Sequence, residues 1–204
     1  MSQFTENHYL LPLIKYFEQF HPLSNGFIAD HVSHCKQLFI KKNKFILSPI
    51  DHNLSLYFVV SGLVRGFIKD NGKDITTRFS FGNETIGAIH HPNNISHHSI
   101  EYLQALEDSE VICIPFSLID SVYSLYPEAN IIGRKVLAFQ YYAASERSIL
   151  ARIPNAARRY QRFASAKSTK IDRIPLSCLA SYLGMRSETL SRIRNKEARS
   201  SLSK

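Results

Sequence analysis

The sequence predicts an α+β fold, in which an antiparallel all-β domain is followed by one long helix and a basic helical module. Short runs of β-branched and aromatic residues, separated by turn residues, fill residues 36–115. A helical period then runs from 127 to 153, and Lys and Arg concentrate beyond it. We therefore predict three domains, at 1–126, 127–153 and 154–204.

The composition indicates a folded protein that does not enter the membrane. The chain has 204 residues, of which 44% are hydrophobic. Apolar runs such as "YFVV" fall far short of the roughly 20 residues that span a bilayer. No basic segment leads into an apolar stretch at the N-terminus, so we expect a cytoplasmic location. Cys35, Cys113 and Cys178 are odd in number and far apart, which favours buried thiols over disulfides.

The charge is unevenly distributed along the chain. Residues 1–150 carry a net charge of −2, whereas residues 151–204 carry +10. A basic module next to a nearly neutral one favours binding to a polyanion.

The first 115 residues predict two short helices and then strands. Helical patterns cover 7–23 and 24–35. Asn71-Gly72 lies between two strand patterns and predicts a tight hairpin with positive φ at both positions. Four glycines recur at spacings suited to the corners of a small antiparallel barrel or roll: Gly62, Gly66, Gly82 and Gly87.

The long helix is expected to begin at Pro127 and to end before Pro154. A narrow apolar seam on it predicts pairing with the same helix of a second copy, in a homodimer. The seam consists of Ile132, Val136, Phe139, Ala143 and Leu150. A helix packed only on its own domain is the alternative, because the seam lasts barely three heptads.

The stretch "IPLSCLASYLGMRSETLSRIRNK" has the spacing of a helix-turn-helix. The inner face of its first helix is predicted from Leu176, Leu179, Ala180 and Leu183. Gly184 permits the tight turn because it takes positive φ without penalty. Leu190 and Ile193 form the inner face of the second helix.

If the second helix enters a DNA major groove, its outward side chains can read bases. Arginine binds guanine with two hydrogen bonds, and glutamate accepts one from cytosine. The predicted DNA-binding residues are Arg186, Ser187, Glu188, Thr189, Ser191, Arg192, Arg194 and Lys196. Phosphate attraction is expected from Arg186, Arg194 and Lys196 together with Arg158, Arg159, Arg162, Lys167 and Lys170. A small helical bundle with a solvated basic face is the alternative.

These motifs resemble the Crp/Fnr family of bacterial transcription regulators. "ETLSR" matches the family's Glu-x-x-Ser-Arg recognition pattern at Glu188, Ser191 and Arg192. "LYFVVSGLVRGFIKDNGKDITTRFSFGNETIG" resembles its cyclic-nucleotide-binding β-roll, and "LQALEDSEVICIPFSLIDSVYSLYPEANIIGRKVL" resembles the closing strand and the start of the dimer helix. The resemblance covers nearly the whole chain.

The resemblance implies an antiparallel β-roll of the double-stranded β-helix type, a dimerisation helix and a C-terminal helix-turn-helix. It further implies a homodimer on a palindromic promoter site, with half-sites about one helical turn apart. Double-stranded DNA and RNA polymerase are the implied partners, and no catalytic residue, metal or cofactor is predicted.

The effector loop departs from the family pattern. In the cyclic-AMP binders of the family, the loop runs Gly-Glu and later places an arginine on the phosphate. Here Asn83 follows Gly82, so Glu84 comes one place late. The position of the arginine falls on His98 or Ser99. Without a guanidinium the cyclic phosphate loses its two-point charged partner, which argues against cyclic AMP. The effector is unknown, and its loop is predicted from Gly82, Asn83, Glu84, Thr85, His98 and Ser99.

Two further departures concern the cysteines and the wing. The family's oxygen sensors hold an iron-sulfur cluster with several N-terminal cysteines, but only Cys35 lies in that half, which excludes a cluster needing about four thiolates. Residues 196–204 have no strand pattern, so the β-wing after the recognition helix is expected to be short or absent.

Two other function classes remain open at this point. A metal-dependent β-barrel enzyme could use His90, His91, His97 and His98 with Glu84 or Glu101. Neighbouring histidines on a strand point to opposite faces, however, so each pair offers one inward ligand. A small-molecule sensor without a DNA role could use the β-domain alone.

Overall fold

The computed structural model describes residues 8–88, 99–166 and 170–202 of the chain. It separates into two compact units. The first combines the chain through Phe67 with Phe79–Ala138, and the second combines Ile68–Arg78 with the chain from Phe139 onward. The three domain limits drawn from the sequence stay a prediction, because the long helix and one hairpin are shared between the units.

Short helices open the first unit. They are a 3₁₀ turn at His8–Leu10, α1 at Leu11–Glu18 and α2 at Asn25–His34. Ser24 caps α2, since its Oγ accepts a hydrogen bond from the Phe27 N–H at 3.3 Å. Both helices turn apolar side chains toward the sheet that follows.

Within the described residues, eight strands form two antiparallel four-stranded sheets. The strands are β1 Lys36–Ile40, β2 Phe45–Leu47, β3 Ser55–Ser61, β4 Leu63–Asp70, β5 Lys73–Phe81, β6 Glu84–Ile86, β7 Tyr102–Ala105 and β8 Ser109–Pro115. One sheet has the order β1-β8-β3-β6 and the other β2-β7-β4-β5. The predicted hairpin joins β4 to β5, with φ of 48° at Asn71 and 75° at Gly72. The α+β prediction is thereby confirmed.

Hydrophobic side chains of the described residues pack on both faces of one sheet of this unit. One cluster fills the space between the sheets and includes Val59, Val64 and Leu103. The other lies on the opposite face of the β1-β8-β3-β6 sheet, where Phe58 and Ile112 pack against the N-terminal helices. Alternation of side chains along β3 explains the division, because neighbouring residues such as Phe58 and Val59 point to opposite faces.

The remaining chain is helical. It forms α3 Phe116–Leu125, α4 Pro127–Arg152, α5 Ala156–Ala166, a 3₁₀ turn at Ile171–Arg173, α6 Leu176–Tyr182 and α7 Ser187–Leu202. Pro127 begins the long helix as predicted, because its missing N–H costs nothing in a first turn. Among the described helices, none is both long and apolar enough to cross a membrane.

Candidate nucleic-acid interface

Helices α6 and α7 pack through a small apolar core. Leu179, Ala180, Leu183 and Leu190 are all buried, as the spacing predicted. Leu176 is the exception, because it begins α6 and its side chain is 37% exposed. Cys178 is buried in its place, so the inner face of α6 is rotated toward Cys178 relative to the predicted one. Ile193 is half-buried.

The turn between the two helices closes with a specific hydrogen-bond pair. The Met185 N–H donates to the Ala180 carbonyl at 3.0 Å, and the Gly184 N–H donates to the Ser181 carbonyl at 3.1 Å. This is the Schellman arrangement that ends a helix, and it requires a left-handed residue. Gly184 supplies that residue with a φ of +62°. The prediction that Gly184 makes the turn is confirmed.

The face of α7 opposite Leu190 is polar and exposed. Arg186, Glu188, Thr189, Arg192 and Lys196 are exposed, while Ser187 and Ser191 are half-buried. Within the described part of the chain, the side chains of Arg186 and Arg192 make no hydrogen bond or ion pair. Their guanidinium donors are therefore available to a ligand.

Glu188 lies in the first turn of α7. A carboxylate is stabilised there by the partial positive charge of the helix N-terminus. This local effect reduces the electrostatic cost of a negative charge in a basic module, and it leaves the carboxylate exposed.

Arg194 and Arg162 are already paired within the second unit. Arg194 Nη2 lies 2.6 Å from Asp172 Oδ1, and Arg162 Nη2 lies 3.1 Å from Glu146 Oε2. Both were expected to contact phosphate, and in this structure each would first have to leave a carboxylate. Spacing on one helix did not reveal these partners, because Asp172 and Glu146 lie on other elements.

Arg159 was also expected to contact phosphate, but its guanidinium is directed into the protein. It donates to four backbone carbonyls, those of Ile153, Pro154, Leu183 and Gly184, at 2.7 to 3.2 Å. Its neighbour Arg158 is exposed and is free of side-chain partners among the described residues. The two adjacent arginines therefore lie in different environments, and contact with phosphate stays a prediction for Arg158 alone of the pair.

Two lysines were also predicted to attract phosphate. Lys170 is half-buried, and Lys167 lies outside the described residues. Beyond the recognition positions, α7 stays helical to Leu202. The segment where a β-wing would begin is thus helix, in agreement with the expectation from the sequence.

Sequence reasoning missed a polar link to the β4–β5 hairpin. Ser181 on α6 donates its hydroxyl proton to the Asp74 carbonyl at 2.8 Å and accepts from the Thr76 N–H at 3.0 Å. All three residues belong to the second unit. No sequence signal could have found this link, because its members are more than 100 positions apart and serine is common on helix surfaces.

The predicted effector loop uses the carboxylate of Glu84 internally. Glu84 Oε2 accepts a hydrogen bond from the Phe81 N–H at 3.2 Å, across the turn that contains Gly82 and Asn83, which has a φ of 67°. Thr85 pairs with Phe58 across the strands. Directly paired residues share a face of the sheet, so Thr85 lies on the helix-covered side rather than inside the roll. The register of β3 and β6 therefore does not support the prediction that Thr85 contacts an effector.

Ser99 is buried, and its Oγ accepts from the Glu101 N–H at 3.1 Å. His98 lies outside the described residues, as do His90, His91 and His97. The ligands of the alternative metal site therefore cannot be placed together. In the described part of the chain, no group of three metal-binding side chains occurs.

The predicted dimer seam faces its own chain at both ends. Ile132 is buried in the helix-side core, Val136 packs against that core, and Leu150 is also buried. Phe139 is exposed, and Ala143 is half-buried. The predicted seam is thus open only in its middle, and at about 100° per residue a second stripe of α4 is open as well. Its exposed apolar residues are Leu137, Tyr141, Tyr142 and Ile149.

Comparison with known proteins places this architecture among bacterial regulators. The chain is 27% identical over 177 residues to electron transport regulator A of Shewanella oneidensis, covering 80% of this chain and 69% of that protein. It is 29% identical over 173 residues to the fumarate and nitrate reduction regulatory protein of Salmonella typhi, covering 76% and 65%. The chain thus spans about two thirds of the length of these curated relatives.

The fold comparison agrees with the sequence comparison. A protein from Eubacterium rectale assigned to the crp/fnr family of transcriptional regulators superposes with a TM-score of 0.69, at 17% identity, covering 91% of this chain and 88% of that one. No family model matches the chain. The predicted resemblance is confirmed: this chain is similar in sequence to Fnr-type regulators and has the fold of the Crp/Fnr regulators.

Proposed function

We propose that this protein is a sequence-specific DNA-binding transcription regulator of the Crp/Fnr type, which acts as a homodimer on a palindromic promoter site. The observation that carries the proposal is the exposed face of α7, where Arg186 and Arg192 have no ion-pair partner among the described residues. A buried Leu190 on the other side fixes which face is presented. The similarity to bacterial regulators supports the same function.

Each residue on that face has a distinct role. Arg192 lies at the centre of the exposed row and is suited to guanine O6 and N7. Glu188, one turn earlier, is suited to cytosine N4, and Thr189 and Ser191 to base edges or phosphates. Arg186 precedes the helix and is suited to phosphate. Lys196 lies one turn after Arg192 and also suits the DNA backbone.

We propose that the dimer forms through the open apolar stripe of α4 defined above. Leu137 and Tyr141 are about one turn apart, and Tyr142 and Ile149 are separated by seven residues. At about 100° per residue, all four side chains lie within about 140° of the helix surface, which is one side of the helix. Together they expose large apolar groups that a second copy can cover. Homodimer formation places two recognition helices on two half-sites.

An effector other than cyclic AMP is part of the proposal. No arginine stands at the phosphate position of the loop, and Glu84 is engaged with the Phe81 backbone. The regulator acts in the cytoplasm, contacts RNA polymerase at the promoter and carries out no catalysis of its own.

A selection of bound DNA from a random pool tests this proposal. We expect a palindromic consensus with half-sites about one helical turn apart, and an affinity that falls steeply with salt because phosphate contacts release counterions. Binding without sequence preference would contradict the proposal. Absence of any binding, with and without cell extract, would favour a sensor without a DNA role.

A further inference from the structure

We infer that Arg159 is a positioning residue that holds the helix-turn-helix turn against the end of α4, and so sets the half-site spacing that the dimer recognises. This inference rests on the proposed DNA-binding function. It concerns the link between helices rather than the DNA contacts themselves.

The side chain of Arg159 joins two segments of the second unit that are distant in sequence. Nη1 donates to the carbonyls of Ile153 and Pro154, at 2.7 and 3.2 Å. Nε donates to the Leu183 carbonyl at 2.7 Å, and Nη2 donates to the Gly184 carbonyl at 3.2 Å. The first two acceptors follow the end of α4, and the other two belong to the turn between α6 and α7.

These acceptors concentrate negative partial charge around one cation. The last carbonyls of a helix lack intrahelical donors and carry the negative end of its dipole. Ile153 and Pro154 come directly after α4, and Leu183 is the C-terminal cap of α6. A guanidinium between two such ends satisfies orphan carbonyls and interacts favourably with both dipoles.

The geometry requires arginine rather than any cation. Guanidinium has five N–H donors in a fixed plane, of which four are used here. A lysine ammonium offers three donors at one point and cannot span both segments. Arg159→Lys therefore keeps the charge and loses the link.

The link lies directly before the start of α7, the proposed recognition helix, and can therefore set its position. Leu183 and Gly184 are followed within three residues by Arg186 and Ser187, which begin the DNA-binding row. On the other side, Ile153 follows directly from α4, the proposed dimer helix. A displacement of the turn relative to the end of α4 would change the separation of the two recognition helices. Half-site spacing is the property that reports this separation.

Arg199 provides a matched control outside the proposed DNA contacts. It lies in the last turn of α7, carries the same charge and is exposed, without side-chain partners among the described residues. Arg199→Lys should leave the link intact, whereas Arg159→Lys should break it at the same net charge.

The DNA experiment uses full-length protein and the selected palindrome, with its central spacer lengthened or shortened by single base pairs. We expect the wild type and Arg199→Lys to prefer one spacer by about tenfold or more, and Arg159→Lys to lose most of this preference, to about threefold or less. The slope of log affinity against log salt should stay the same in Arg159→Lys, because no phosphate contact is removed. An unchanged spacer preference in Arg159→Lys, or an equal loss at every spacer and on single half-sites, would overturn the inference.

Hydrogen exchange tests the link without DNA. The amides of Ile153, Gly184 and Met185 are hydrogen-bonded on the two sides of Arg159. We expect faster exchange at both sites in Arg159→Lys and wild-type rates in Arg199→Lys. Wild-type protection at either site in Arg159→Lys would refute the link even if the proposed DNA function held. A wild type that binds no specific DNA while the exchange result holds would instead refute the proposed function alone.

Discussion

The predicted effector loop of the β-roll and the predicted recognition helix both carry polar residues but use them differently. In the loop, the Glu84 carboxylate accepts from its own turn and Thr85 lies on the helix-covered face of the sheet. On α7, Arg186, Glu188 and Arg192 are exposed on the side away from the core. Polar groups that are already satisfied stabilise a local structure, whereas exposed unpaired ones remain available to a ligand. The difference supports the proposed DNA contacts on α7 and leaves the effector to be found by experiment.

The largest expected effect concerns the packed core of the β-roll, the region that carries the predicted effector loop. Phe58 is fully buried between the β-sheet and α1, where its ring centroid lies 5.2 Å from that of Tyr16. We expect Phe58→Ala to reduce the free energy of unfolding by about 3 to 5 kcal/mol, because a large cavity remains. Urea denaturation followed by circular dichroism measures this loss. A loss below about 1 kcal/mol would mean that Phe58 is not part of a packed core.

A smaller effect comes from His31 in the same region. Burial between aromatic rings lowers the pKa of His31 below its ordinary value of 6.5, with smaller opposing contributions from its bond to the Phe27 carbonyl and from Asp30. The neutral form is therefore favoured in the folded state, while the unfolded chain takes up a proton below pH 6.5. The stabilising contribution is complete above pH 6.5 and is lost as the pH falls toward the folded pKa.

This dependence can be isolated with His31→Gln, whose amide can still donate to the Phe27 carbonyl but does not titrate. Urea denaturation of both proteins at pH 7.5 and 5.5 measures the difference. We expect the wild type to lose more stability than the variant between the two values. An equal loss in both would show that His31 does not contribute to the pH dependence.

The smallest expected effect concerns a pair at the edge of the DNA-binding surface. Asp172 is exposed and holds Arg194 at 2.6 Å, so Asp172→Asn should free Arg194 for phosphate. We expect tighter DNA binding by less than about fivefold, since exposed ion pairs are weak. The salt slope should become steeper by up to about 0.9 for one added phosphate contact. Fluorescence anisotropy across a salt series measures both, and a shallower slope would contradict the assignment.

Much of the fold could be predicted because local chemistry determines it. Asn71-Gly72, Pro127 and Gly184 each favour one backbone geometry, and all three have it in the structure. The predicted recognition helix could be found for the same reason, since buried Leu190 and the exposed polar residues lie on opposite faces at helical spacing.

What could not be predicted depends on distant partners. The role of Arg159 requires the positions of backbone carbonyls 5, 6, 24 and 25 residues away, which no side-chain pattern reveals. On α4, the sequence contains two apolar stripes, and spacing alone does not say which one packs against its own chain. Ile132 and Leu150 are buried and Phe139 between them is exposed, so the predicted stripe is covered only toward its ends, while Leu137 and Tyr141 lie on a second, open stripe.

Base-resolved DNA binding by Arg192→Ala tests the central claim most directly. Affinities would be measured for the selected operator and for all single-base variants of one half-site, with Arg158→Ala as the control. We expect Arg192→Ala to lose about 1 to 3 kcal/mol on the operator and to become indifferent at one base pair. Arg158→Ala should weaken every sequence equally and reduce the salt slope by roughly 1. Arg192→Ala with the wild-type base preference at every position would contradict the account.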